Sequence, residues 1–264
     1  MTKNISPLSS QEAALLAHLS ADSHTLFTTA QAQALLGNDA YAANVLSRLV
    51  KKGWLERLQR GLYLIIPLEA GPERLWSESG PVIASRLIQP SALAYWSALH
   101  YWGMTEQVPQ VIFVQTTQRK ATLQVLGMHF RFVTLPPKRF FGVVQRTVDG
   151  KAFAVTDREK TLLDAAARPD LCGGIAQLAQ ALSGHHVEVD WVRVDDYLQR
   201  WGGGAVVKRL GYLVETLDLP IPEQVSRLER WQGWISQGIS LLEPRSDARG
   251  AVVTRWNLRI NSEF

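Results

Sequence analysis

Between positions 39 and 66 the apolar residues change period abruptly, and this restricts the fold more than any other feature of the chain. In "NDAYAANVLSRLVKKG", Ala42, Val45, Leu46, Leu49 and Val50 recur at helical spacing, which draws one apolar stripe along a helix. Asn38 or Asp39 is placed to cap its start and Gly53 to stop it. "WLERLQ" and "LYLII" follow as two short strands joined at Arg60-Gly61. Upstream, "SSQEAALLAHLS" predicts a helix over residues 9 to 20, with Leu15, Leu16 and Leu19 on one face and a capping box between Ser9 and Glu12. "FTTAQAQALLG" predicts a second short helix, capped by Thr28 or Thr29 and ended by Gly37. Three short helices and a hairpin in this order predict a winged helix-turn-helix over residues 1–70.

The charges of this segment point to a partner. Opposite the apolar stripe, Tyr41, Asn44, Arg48 and Lys51 share one face of the third helix. Such a face suits a helix lying in a major groove: Asn44 matches adenine edges, Arg48 matches guanine, and Lys51 and Lys52 match phosphates. Arg57, Gln59 and Arg60 on the hairpin are placed for backbone or minor groove. Thr29 and Gln31 on the second helix and Ser47 on the third complete the candidate DNA-binding set. Residues 38 to 66 carry five cations against Asp39 and Glu56, and the whole chain carries a net charge of only +4. The excess is therefore clustered, which matters more for polyanion binding than the total. A polar helix face is most often only solvated, and winged helices also bind proteins, so a degenerate module that blocks a protein partner is the competing reading.

The remainder is longer and differently built. The chain of 264 residues is 46% hydrophobic, enough for two cores. "EAGPERLWSESGP" is polar and punctuated by Gly71-Pro72 and Gly80-Pro81, so residues 71–81 read as a linker and residues 82–264 as a second domain. "SALAYWSALHYWGM" predicts a helix ending at Gly103. "QVIFVQTT", "HFRFVTL" and "KAFAVTD" predict strands. "TDREKTLLDAAARP" predicts a helix with a Thr156–Glu159 capping box and Pro169 at its close. Helices follow over roughly 175–183, 190–201, 204–218 and 222–237, and "RWNLRIN" predicts an edge strand. The fold class is α+β: a winged helix-turn-helix, then a mixed α/β region that becomes mostly helical. The nine tryptophans are scattered, as expected of residues that pack cores.

Chemistry is sparse. One cysteine, Cys172, excludes an internal disulfide and a cysteine-based zinc cluster. His185-His186 has no partner at metal-ligand spacing, and no catalytic residue, metal or cofactor is expected. Lys160 and Asp164 stand four residues apart, the spacing of a surface ion pair on a helix. Gly202, Gly203 and Gly204 precede a helix, but the order is not that of a nucleotide-binding loop and reads as a helix–helix turn. Residues 111 to 148 contain no Asp or Glu. Arg119, Lys120, Arg131, Lys138, Arg139 and Arg146 lie in that span and form the candidate partner surface, placed to meet a nucleic acid or an acidic protein. No stretch holds the roughly 18 consecutive apolar residues of a spanning helix, and the N-terminus lacks a signal-peptide core. A soluble cytoplasmic protein is expected.

Five segments, "SALHYWGMTEQVPQVIFVQTT", "FRFVTLPPKRFFGV", "VTDREKTLLDAAARPDLCGGI", "VVKRLGYLVE" and "RWNLRIN", in this order behind a winged N-terminus, resemble the AbiEi-type antitoxins and related regulators of viral defence, the type IV toxin-antitoxin systems. The resemblance implies an N-terminal domain that binds an operator and represses its own operon. It also implies a C-terminal antitoxin domain that counteracts a toxin resembling nucleotidyltransferases, without a stable complex being required. The partners implied are double-stranded DNA with an inverted repeat and that toxin, with the protein a monomer in solution or a dimer on DNA. A stand-alone regulator without a toxin is the alternative.

Overall fold

A computed structural model describes residues 7–21, 25–71 and 78–264 of the chain. Residues 72–77 of the expected linker, Trp76 among them, lie outside the described residues. The chain divides into two compact units, Met1–Leu87 with Val125–Gly127, and Ile88–Gln124 with Met128–Phe264.

The first unit runs α1 (Ser10–Ser20), β1 (Leu26–Thr28), α2 (Thr29–Leu36), α3 (Asp39–Lys51), β2 (Leu55–Gln59), β3 (Leu62–Ile65), a 3-10 turn (Leu68–Ala70) and α4 (Gly80–Leu87). Its sheet has the order β1-β3-β2, antiparallel throughout, which makes a winged-helix arrangement. The helix starts follow local chemistry. Ser9 and Glu12 form the expected capping box. Thr28 rather than Thr29 caps α2, reciprocally with Gln31. Asn38 rather than Asp39 caps α3 through Tyr41 N–H. Gly37 and Gly53 take positive φ at the two stops, where a side chain would be strained. α2 keeps the expected cap and stop, and the short strand β1, which the sequence reading did not include, precedes it. Leu26 and Phe27 pair with Leu64 and Tyr63 of β3 and bury both side chains.

The core of this unit contains Leu15, Leu16 and Leu19 of α1, Phe27, Ala32 of α2, Val45, Leu46 and Leu49 of α3, and Leu55 and Ile65 of the hairpin. Ala42 is fully buried as well; Val50, expected in the stripe, is only half-buried and packs at its edge. Truncating Leu46 to Ala would cost about 2–5 kcal/mol. In β2 both Leu55 and Leu58 are buried, three positions apart. The register shift between Arg57 and Gln59 allows this by inserting an extra residue into the strand.

The second unit contains β4 (Ser91–Leu93), α5 (Tyr95–Tyr101), β5 (Val111–Thr116), all but the last residue of β6 (Leu123–Val125), β7 (Met128–Thr134), a 3-10 turn (Pro137–Arg139), β8 (Val143–Val148), β9 (Lys151–Thr156), α6 (Arg158–Ala167), α7 (Ile175–His185), α8 (Trp191–Trp201), α9 (Ala205–Thr216), α10 (Gln224–Gln232), β10 (Ser240–Leu241), β11 (Val252–Val253) and β12 (Leu258–Arg259). A six-stranded mixed sheet has the order β6-β7-β5-β4-β9-β8, and a small sheet the order β10-β12-β11. Three expectations are corrected here. Ser91–Leu93, read as helix, is an inner strand between β5 and β9, and all three residues are buried. β12, read as an edge strand, pairs on both sides. α6 is capped by Asp157, not Thr156: the Thr156 hydroxyl bonds Thr161 Oγ1 at 2.8 Å, and Glu159 accepts from Asp190 N–H at 2.8 Å.

The segments that carried the resemblance are chiefly scaffolding. In "KRLGYLVE", Lys208 donates to Gly238 O at 2.6 Å, and Glu215 accepts from Trp256 Nε1 at 2.6 Å. A Cβ on Gly211 would stand 2.2 Å from the Trp256 ring. This helix therefore seats the "RWNLRIN" tail, with Trp256 and Leu258 fully buried. In "DREKTLLD", Lys160 and Asp164 pair as their spacing predicts, but both are fully buried rather than exposed. Gln115 of β5 donates to Asp164, and the Lys160 ammonium lies 5.2 Å and 5.1 Å from the ring centres of Phe141 and Trp201. Burial raises the Asp164 pKa, opposed by Lys160 and Gln115.

Candidate nucleic-acid interface

α3 presents a graded surface. Asn44, Ser47 and Lys51 are exposed along its outer face, opposite the buried Val45, Leu46 and Leu49. Tyr41, Arg48 and Lys52 occupy the flank toward α1. The Tyr41 hydroxyl donates to Gln11. Arg48 Nε lies 3.4 Å from Glu12 Oε1 with half of its side chain exposed. Lys52 Nζ lies 2.6 Å from Glu12 Oε2 and 2.9 Å from Pro7 O. Burial disfavours the Glu12 carboxylate, but its hydrogen bonds from Lys52 and Ser9 more than offset this and hold its pKa at about 2. Glu12 is thus a carboxylate inside the basic cluster as well as part of the α1 cap. Its reach to Lys52, 40 positions away, has no local signal.

The wing supplies the second part. Arg57 and Arg60 are exposed, and Gly61 takes φ +81° at the turn. Gly61 O accepts from Thr29 N–H at 2.9 Å, which ties the wing tip to the start of α2. Thr29 is half-buried there. Gln31 is exposed but spends its side-chain oxygen on the Thr28 cap. Gln59 donates to Leu87 O at 3.2 Å, so it braces α4. The structure therefore brings Asn44, Ser47, Arg48, Lys51, Arg57 and Arg60 to solvent, and gives Gln31, Tyr41, Lys52 and Gln59 partners within the unit.

The basic residues of the second unit are spread. Arg119 is exposed in a loop and Lys138 in the Pro137–Arg139 turn. Lys120 lies 5.4 Å from the Phe132 ring centre and Arg131 5.8 Å from that of Phe113, its register partner. Arg139 lies 4.6 Å from Trp201 and Arg146 5.3 Å from Trp102. Arg131 is on β7 and Arg146 on β8, strands four places apart in the sheet order, or about 19 Å at the usual strand spacing. They do not form one patch.

The elements that build the α3 and wing surface coincide with a known regulator segment. Residues 15–66 match the family described as transcriptional regulator, AbiEi antitoxin. The AbiEi-type segment runs from within α1 to the residue after β3, so it contains α2, α3 and the whole hairpin. No curated protein matches the chain. In fold it is similar to the crystal structure of the RV2827C protein from Mycobacterium tuberculosis, 16% identical, with a TM-score of 0.67 over 97% of this chain and 93% of that one. At that identity the likeness is one of fold. Among the described residues no helix is long and apolar enough to cross a membrane, and no group of three or more His, Cys, Asp or Glu side chains is placed to hold a metal ion.

Proposed function

We propose that the protein is a DNA-binding transcriptional regulator and antitoxin: it represses its own operon through residues 1–70 and counteracts a nucleotidyltransferase-like toxin through residues 82–264. The observation that carries this reading is the joint exposure of Asn44, Ser47, Arg48 and Lys51 on α3 and of Arg57 and Arg60 on the wing, inside the AbiEi-type segment. α3 enters the major groove, where Asn44 and Arg48 read base edges and Lys51 meets phosphate. Arg57 and Arg60 follow the backbone beside it. One winged helix reads few base pairs, so two copies occupy an inverted repeat. The protein acts in the cytoplasm, without a cofactor.

A gel shift of the full-length protein on its own upstream DNA, repeated with an Arg48→Ala/Lys51→Ala double variant, tests the first half. Retarded wild-type DNA and no shift with the variant are expected. Growth of cells expressing the neighbouring toxin with the same variant tests the second half. Rescue despite lost operator binding assigns antitoxicity elsewhere in the chain. Loss of rescue together with DNA binding would make repression the whole of its action.

A further inference from the structure

A cleft of about 300 Å³ opens in the second unit, at the start of α9. Its wall contains Arg139, Arg168, Arg209, Gly204, Ala205 and Val206, and no carboxylate lines it. Arg209 is 4% exposed, yet its guanidinium has no ion pair among the described residues. It donates instead to Ala166 O at 2.7 Å, to Leu241 O at 2.8 and 3.0 Å and to Leu242 O at 2.9 Å. Burial lowers its pKa to about 10, with Glu243 and Asp170 acting the other way, so it stays charged at neutral pH. Arg139 lies over Trp201, and its Nε is buried without a hydrogen-bond partner. A native structure seldom leaves such a donor unmet. Arg168 pairs with Asp170 through two bonds of 2.8 Å, but Asp170 also serves Arg245 at 2.9 Å, so two cations share one carboxylate.

α9 adds donors to this positive wall. It is a 12-residue helix without a side-chain cap, and its first N–H groups have no intrahelical acceptor. Gly202, Gly203 and Gly204 all take positive φ, a run that residues with side chains rarely adopt. A Cβ on Gly204 would meet nothing within 4 Å, so the backbone there faces open space.

We propose that this cleft binds a phosphate-bearing small molecule, with Arg139 and Arg209 gripping its oxygens, Arg168 at the rim and the N–H groups of Ala205 and Val206 at its base. Forked guanidinium donors beside a helix N-terminus match a multi-oxygen anion. The site does not depend on DNA binding by α3.

Calorimetric titration of the full-length protein with inorganic pyrophosphate and, separately, with ATP tests it. At least one should saturate with a Kd below about 1 mM. Arg139→Gln should weaken binding at least tenfold, and Arg139→Lys should recover part of the loss. Ala205→Glu is a second variant. Acid at the first turn suits a helix, so α9 is retained while the carboxylate fills the anion's place, and binding should fall at least tenfold. Absence of saturation by either compound, or equal binding by wild type and the folded variants, overturns the site. So does a duplex oligonucleotide that binds in an Arg139-dependent way where both small phosphates fail, since it would assign the cleft to nucleic acid.

Discussion

Glu12 on α1 and Lys52, just past the end of α3, are joined by a 2.6 Å ion pair in which the carboxylate is 1% exposed. One carboxylate thereby caps its own helix and fixes the α3 flank that carries Arg48. Replacing Glu12 with Ala removes the carboxylate half of the capping box and leaves Lys52 without its ion-pair partner, at a cost of about 1–3 kcal/mol. The pH dependence has a definite sign. The folded pKa of about 2 lies below the ordinary 4.5, so the stabilisation is complete above about pH 4.5 and is lost as pH falls toward 2. Urea unfolding of wild type and Glu12→Gln should show a gap at pH 7 that closes in that interval. A gap independent of pH would refute the pairing.

Arg48→Ala is expected to lower operator affinity by about 1–3 kcal/mol if Arg48 reads a base. Lys51→Ala should weaken all sequences alike and reduce the salt dependence by about one phosphate contact. Affinity measured against salt concentration on operator and unrelated DNA separates the two. An unchanged operator affinity in a folded Arg48→Ala protein removes that residue from the interface.

Both side chains of the Lys160–Asp164 pair are 0% exposed. Lys160→Met strands a carboxylate in the core and should cost about 3–5 kcal/mol. Lys160→Met/Asp164→Leu removes both charges and should be more stable than either single change. Denaturant midpoints for the four proteins decide this; a single variant as stable as wild type contradicts the burial.

Gly211→Ala places a methyl group 2.2 Å from the Trp256 ring, which the fully buried indole cannot vacate without moving the tail. A loss of at least about 1–3 kcal/mol is expected, with a shift in tryptophan emission. An unaltered melting temperature would show that the tail is not seated on α9.

What the sequence determined by itself was local or periodic. The α3 stripe, the Ser9–Glu12 box and the Gly37 and Gly53 stops could be read because each depends on neighbours within a few residues. The outward Asn44 and Lys51 followed from the same periodicity. Tertiary structure decided the rest, because the deciding partner lies far along the chain. Ser91–Leu93 became a strand through pairing with β5 and β9. Lys160 and Asp164 kept their predicted pairing but moved from surface to core, because Gln115, Phe141 and Trp201 close over them. Glu12 kept its place in the capping box and gained a second partner in Lys52. Arg139 and Arg209, 70 residues apart in number, line one cleft only because the Pro137–Arg139 turn and α9 fold against the same wall. Burial and long-range charge pairing are properties of the folded chain, and no local period encodes them.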